Sequence, residues 1–306
     1  MKSWQREVHT HLAIIRTFLD LAQLPETEAG TIRQELERYL SVRLDRKLWM
    51  HPEITRFHTE WYREFYRIAK VADPYKQLKE ASNVRATEVL QTLDLNTLRK
   101  AVLASIVANR MDFGAVDPRI SPLALHPDDF HHVPVLFDDF FLLDQAVRNA
   151  KRILYLVDNH GEVLFDKTVM QRIKELNTGC EIFIGAKESP MLNDVTCEEA
   201  LQLGLHPLGR VVSTGSNCFG VPEDEVSETF LSVMKTADVI IAKGQAYFEF
   251  WLNYDVPNVF NLVHTKVPIA DDFLGRIPAG SNLIVSSPRY RHGKRPYKYP
   301  EESETE

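Results

Sequence analysis

The sequence predicts an α/β protein: an all-helical N-terminal domain, then a mostly parallel sheet covered on both faces by helices. Three observations carry this. Up to about residue 115, apolar residues recur at helical spacing, and no alternating run of useful length interrupts them. From Lys151 onward, short apolar runs alternate with helix-spaced segments, the pattern of parallel strands joined by crossovers. The run 153–157, Ile-Leu-Tyr-Leu-Val, is apolar at every position, as expected of a strand buried on both faces.

The helical part reads element by element. Trp4, Val8, Leu12, Ile15 and Leu19 mark one helix that ends before Pro25, and a second spans roughly 28–44. A third follows Pro52, with Phe57, Trp61, Phe65 and Ile68 on one side. Asp73-Pro74 reads as an N-cap with proline at the first helical position, opening a helix towards Leu93. Leu98, Val102, Ile106 and Asn109 mark the next. Between Asp117 and Phe141, four prolines and clustered aspartates and histidines suggest an irregular connection. His126, His131 and His132 are read there as solvated side chains rather than metal ligands.

A helix from about Asp138 to Asn149 leads into the sheet, whose strands are expected at 153–157, 180–184, 209–212, 238–242, 258–263 and 282–285. Thr196 with Glu199 forms a capping-box signature, and Gly204 fits a helix C-terminus. The expected domains are therefore 1–137, helical with the connector; 138–288, the sheet domain; and 289–306, a flexible, solvated tail.

Bulk properties exclude several classes. The 306 residues are 44% apolar, enough for sizeable cores. A net charge of -7 repels phosphate backbones, so nucleic acid is not the expected partner. Cys180, Cys197 and Cys218 form no C-x-x-C pair, which argues against a structural zinc or a disulfide framework. No apolar run reaches membrane-spanning length, and a cytoplasmic, membrane-free protein is expected.

The chemistry gathers at the strand ends. Five successive strands finish in Asp158-Asn159, Lys187, Thr214 with Ser216, Lys243, and Thr265-Lys266. Parallel strands place their carboxyl ends on one edge, where ligands of open α/β sheets bind. Asp158, Asn159 and Asp194 are hard oxygen donors able to hold a divalent cation, although Asp158 or Asn159 could instead cap the helix after Gly161. Small hydroxyls, helix N-termini and lysines can hold an anion. Cation and anion cradle together suit phosphoryl transfer to water. No G-x-G-x-x-G or P-loop follows the first strand, and no G-x-S-x-G elbow occurs. Haloacid-dehalogenase chemistry needs Asp-x-Asp where this chain has Asp158-Asn-His160.

Motifs then add a resemblance. Asp158-Asn-His-Gly-Glu162, Pro190-Met-Leu-Asn-Asp194-Val-Thr196 and Lys243-Gly-Gln-Ala-Tyr-Phe-Glu249 resemble those of the DUF89 metal-dependent damage-control phosphatases, nearest the acidic-residue-methyltransferase-like group. Asp73-Pro-Tyr-Lys-Gln-Leu-Lys79 and Ala108-Asn-Arg-Met-Asp-Phe-Gly114 resemble further family signatures. The resemblance implies a helical domain packed on a Rossmann-like, three-layer α/β/α domain, with the site between them. It implies a divalent metal (manganese, magnesium, cobalt or nickel) on Asp158, Asn159 and Asp194, with phosphate near Lys243. The implied partner is a small phosphorylated metabolite such as a sugar phosphate or phosphopantetheine derivative. The alternatives are a metabolite-binding protein without catalysis and a carboxyl methyltransferase using S-adenosylmethionine, which would want a glycine-rich first turn.

The expected catalytic residues are Asp158, Asp194 and Lys243, either aspartate serving as ligand, nucleophile or base. Lys243, Thr214, Ser216, Lys266, Asn109, Glu162 and Glu249 are expected substrate contacts. Asn109 could equally be a helix C-cap, Glu162 could orient the metal shell, and Glu249 could be a surface charge. The family asparagine is replaced by Tyr247, which with Phe248 and Trp251 is expected to pack.

Overall fold

The computed structural model describes residues 15–43, 54–113 and 123–298. Trp4, Val8 and Leu12 of the first expected helix, Leu44 of the second, connector residues 114–122 and tail residues 299–306 lie outside them. The helical half comprises helical residues 15–21 (α1), Glu26–Arg43 (α2), Ile54–Ala69 (α3), Lys76–Leu90 (α4) and Leu98–Ala108 (α5). Then follow strand Phe137–Asp138 (β1), helix Phe140–Asn149 (α6), strand Arg152–Leu156 (β2) and helix Glu162–Leu176 (α7). Next come Glu181–Ala186 (β3), Cys197–Gln202 (α8), Arg210–Ser213 (β4), Glu228–Thr236 (α9), Val239–Lys243 (β5) and Gln245–Trp251 (α10). The last elements are strands Tyr254–Asp255 (β6), Val259–His264 (β7), Ile269–Asp271 (β8), Gly275–Ile277 (β9), Asn282–Ser286 (β10) and Arg295–Pro296 (β11).

Seven strands form one sheet in the order β1-β10-β7-β5-β2-β3-β4. From β7 to β4 every pairing is parallel, and β10 runs antiparallel to β7. That reversal has a local cause. A parallel return needs a crossover, usually a helix; instead the chain after β7 makes the small β8–β9 hairpin and comes straight back, closed by Thr265 N–H to Ser281 O at 2.9 Å.

Strand β2 shows why its continuous apolar run is needed. Ile153 and Tyr155 face a core shared with α5, α6 and α7, while Leu154 and Leu156 face a second core with α9 and α10. All four are fully buried, each contributing roughly 1.5–3 kcal/mol. Helix α5 packs on this sheet too: Leu98, Ala101, Val102 and Ile106 share the β2 core. Helices α1 to α3 build a separate aromatic core around Phe18, Trp61 and Phe65, into which Met191 and Leu192 of the loop after β3 insert. No helix among the described residues is long and apolar enough to cross a membrane.

Two details differ from the sequence reading. Helix α4 starts at Lys76, with Tyr75 rather than Asp73 at the N-cap. Asp73 accepts a hydrogen bond from Tyr75 N–H (3.0 Å) and pairs with Lys79 (2.9 Å), because the proline turn before the helix brings its carboxylate onto that lysine. Within residues 289–298, expected as flexible, solvated tail, Tyr290 and Tyr297 are buried. Tyr290 is fully buried and its hydroxyl accepts from Asn261 Nδ2 at 2.7 Å, while β11 pairs with β6. A basic, aromatic composition concealed two buried tyrosines, Tyr290 and Tyr297.

Buried Lys79 joins the halves, reaching Glu199 on α8 at 3.0 Å. Burial alone would raise the Glu199 carboxyl, but the His160 ring, the Lys79 ammonium and Thr196 N–H outweigh it and hold it well below its ordinary 4.5. A carboxyl so depressed contributes stability in full above its ordinary value and loses it as pH falls further. Glu199→Gln should therefore cost about 2 kcal/mol at pH 7 and flatten the acid limb of the stability curve, measured by urea unfolding from pH 7 to 3.

Candidate active site

Strand register sets the row of groups at the carboxyl edge. Leu156 of β2 pairs with Gly185 of β3 on one side and Ala242 of β5 on the other. Two positions further along, Asp158 comes level with Lys187 and Gly244. The sheet reverses direction of growth here: β3 and β4 extend to one side of β2, β5 and β7 to the other.

The turn 158–161 is held from both halves. Gly161, at φ +78, redirects the chain into α7 and donates its N–H to Asn83 Oδ1 at 2.8 Å. That fixes the Asn83 amide so that Nδ2 donates to His160 Nδ1 (3.0 Å), leaving the protonated Nε2 3.2 Å from Glu199 Oε2. Beside it runs the loop carrying Asp194. His160 N–H donates to Asn193 O (2.9 Å) and Val195 N–H to Asp158 O (2.8 Å), a short antiparallel bridge between Asn159 and Asp194. Leu192, at φ +50, donates its N–H to Tyr66 Oη of α3 at 2.9 Å, so the helical half clamps this loop as well.

Four side chains interlock. Asn109, the C-cap of α5, donates from Nδ2 to Asp158 Oδ2 (3.0 Å) and Glu162 Oε2 (2.8 Å), and its Oδ1 accepts from His264 N–H (3.2 Å). It is thus both a cap and a reach across to the sheet. Asn159 Nδ2 donates to the same two carboxylates at 2.8 and 2.9 Å. With both N–H groups spent inward, Asn159 Oδ1 is buried without a hydrogen-bond partner among the described residues. Below, Lys243 is fully buried with Glu162 Oε1 at 2.7 Å, Asp166 Oδ1 at 3.4 Å and Ser105 O at 3.0 Å. Ser105 Oγ and Tyr155 Oη both donate to Asp166 Oδ1, at 2.6 and 2.7 Å.

Negative charge is crowded here. Burial, then Glu162 and Asp194, push the Asp158 carboxyl well up from its ordinary value. Burial also pushes Asp194 and Asp166 to about 6, opposed by Lys187 and Lys243 respectively. Among the described residues no group of three or more His, Cys, Asp or Glu is arranged to hold a metal. The set that fits a hard cation is instead two carboxylates and one amide oxygen: Asp158, Asp194 and the unpartnered Asn159 Oδ1.

A family model described as the damage-control phosphatase ARMT1-like domain matches residues 9–276. The chain belongs to that family. It is 32% identical over 232 residues to a damage-control phosphatase of Pyrococcus horikoshii, covering 72% of this chain and 77% of the relative. It is 34% identical over 237 residues to an uncharacterised protein of Methanocaldococcus jannaschii, covering 73% and 77%. The crystal structure of a DUF89 family protein from P. horikoshii superposes with a TM-score of 0.78 at 27% identity, covering 92% of this chain and 97% of that one.

Within this damage-control phosphatase domain, the residues singled out from sequence fall into two groups. Asp158, Asn159, Asp194, Asn109, Glu162 and Lys243 lie around one crevice. Lys266 joins them through an ion pair with Asp112, and its charge reaches Asp158 and Glu162. The Glu249 carboxylate accepts from Gln245 Nε2 at 2.7 Å, and that glutamine's Oε1 holds Lys266 N–H at 2.7 Å. Thr214 Oγ1 donates to Ser216 O (2.8 Å), within its own turn, while Ser216 Oγ donates to Glu225 (3.2 Å) and accepts from Arg63 of α3 (3.0 Å). His126 caps a short 3-10 turn, Pro127–Phe130, on the surface.

Sequence reasoning missed Asp166, Ser105, Tyr155 and Asp112. Only Asp166 had a readable signal, lying four residues after Glu162 on one face of α7. Gly244 was missed as well. At φ +85 it lies against Asp158: a Cβ there would come 1.8 Å from Asp158 Oδ2 and 3.3 Å from Asn109 Nδ2. Gly244→Ala must push the Asp158 carboxylate aside. Manganese binding should weaken roughly 10- to 100-fold by isothermal titration calorimetry, with a lower Tm; wild-type affinity would show the carboxylate is no ligand.

Proposed function

We propose that this chain is a divalent-metal-dependent phosphatase that hydrolyses small phosphorylated metabolites of the sugar-phosphate or phosphopantetheine type. The observation carrying this is Asn159 Oδ1, a buried oxygen without a partner beside the carboxylates of Asp158 and Asp194. The relatives named as damage-control phosphatases support the reaction type. Bound between those oxygens, manganese, magnesium, cobalt or nickel would neutralise phosphoryl oxygens and act as Lewis acid.

The chain's own residues do the rest. Asn109 and Asn159 hold Asp158 by two amide donors, so its carboxylate cannot rotate away. Lys187, 3.3 Å from Asp194 Oδ2, and Lys266 supply positive charge for the phosphoryl oxygens. Lys243 acts differently. Enclosed by Glu162, Asp166 and Ser105 O, it anchors Glu162, which in turn fixes both amides. Water attacks phosphorus, the ester P–O bond breaks, the leaving oxygen departs as the alcohol, and inorganic phosphate remains. Asp194 takes one proton from the attacking water, and a proton from solvent goes to the leaving oxygen.

Two measurements test this. Asp158→Ala should abolish manganese-stimulated hydrolysis of p-nitrophenyl phosphate; undiminished turnover would reject the assignment. Phosphate binding without turnover of any phosphoester by the wild type would leave a binding protein. Because the Asp158 carboxyl is raised on folding, its ionised form costs stability above its ordinary value. Asp158→Asn should therefore have a higher metal-free Tm than wild type by a few degrees, and manganese should no longer raise it.

A further inference from the structure

Tyr247 occupies the position where the family motif has asparagine, and the structure gives it a place at the site rather than in the apolar core alone. It lies in the first turn of α10, three residues after the glycine that abuts Asp158. The side chain is 3% exposed, and its Oη is buried without a hydrogen-bond partner. Its ring lies 5.9 Å from Lys187 Nζ, which Phe219 flanks at 5.3 Å and which is 3.3 Å from Asp194 Oδ2. A buried hydroxyl without a partner among the described residues, on a ring beside the lysine that pairs with Asp194, has an unused proton.

We propose that the Tyr247 hydroxyl and the Lys187 ammonium form a donor pair for the phosphoryl oxygens of the substrate, making Tyr247 a substrate-binding, specificity-determining residue. This rests on the phosphatase reading. A phenol carries its donor further from the backbone than the asparagine amide, and its ring occupies space. The phosphoryl group is thereby drawn towards Lys187 and Asp194, and the room left beside it favours phosphate monoesters that are slender next to the phosphorus.

The test is calorimetric titration of inorganic phosphate into the manganese-loaded protein, with manganese affinity measured separately. Tyr247→Phe keeps the ring and removes only the hydroxyl, so phosphate should bind about tenfold more weakly while manganese affinity and Tm hold. Tyr247→Asn, which returns an N–H donor, should recover part of that loss. Unchanged phosphate affinity in Tyr247→Phe, with the wild type binding phosphate, would overturn the donor role and leave the phosphatase reading intact. A parallel fall in manganese affinity would also overturn it, placing the hydroxyl on the cation side. Wild-type protein that neither binds phosphate nor hydrolyses phosphoesters would remove both readings.

Discussion

The structure depends on keeping like charges together out of water. Asp158, Glu162, Asp166 and Asp194, on the segments that follow β2 and β3, are each at most 7% exposed. Isolated ionised carboxylates in such a place cost many kcal/mol, so each needs a donor or a counter-charge. The chain supplies them from different depths: Lys243 from within the sheet, two amides at the level of the turn, and Lys187 and Lys266 above. Gly161 starts α7 just below, so Glu162 also lies in the first turn of a helix, where negative charge is favoured.

This demand ties the helical half to the sheet. Asn109 from α5, Asn83 from α4 and Tyr66 from α3 each hold one part of the turn 158–161 or of the loop before Asp194, and Lys79 of α4 reaches Glu199 on α8. Asn193 adds a further stitch, donating from Nδ2 to Met111 O at 2.8 Å and accepting Phe113 N–H at 3.2 Å. The sheet half alone would hold Asp158 only through Asn159 and Asp194 only through Lys187 among the partners described. Preorganisation of the crevice is therefore a property of the interface between the halves.

Sequence revealed what local rules govern. Ile153 to Val157 could only be a strand buried on both faces, and Thr196 with Glu199 could only open a helix; both hold. The convergence of Asp158, Asn159 and Asp194 followed from parallel topology, and the bridge between Asn159 and Asp194 realises it. What stayed hidden depends on side-chain direction across long separations. Ser105 and Asp166 are 61 residues apart, and nothing in either neighbourhood announces their contact. The antiparallel β10 was likewise unreadable, since an apolar run fits either direction, as was the burial of Tyr290, whose surroundings are basic and polar.

Lys243 shows where such reading stops. A lysine ending a strand beside an anion cradle suggests a phosphate clamp, and the coordinates add that its ammonium is buried among Glu162, Asp166 and Ser105 O. Burial works against its charge, but Asp166 and Glu162 more than compensate, so its pKa is raised and the ammonium persists. Around the crevice, five carboxylates (Asp112, Asp158, Glu162, Asp166 and Asp194) then face three ammonium groups, Lys187, Lys243 and Lys266. Full ionisation would leave two negative charges in excess, the amount a divalent cation cancels. The carboxyls of Asp158, Asp166 and Asp194 are raised first by burial; neighbouring carboxylates add to this, and Lys243 and Lys187 oppose it at Asp166 and Asp194. In the proposed reading, a divalent cation at Asp158, Asn159 and Asp194 would therefore be held by the whole charge network and not by three oxygens alone.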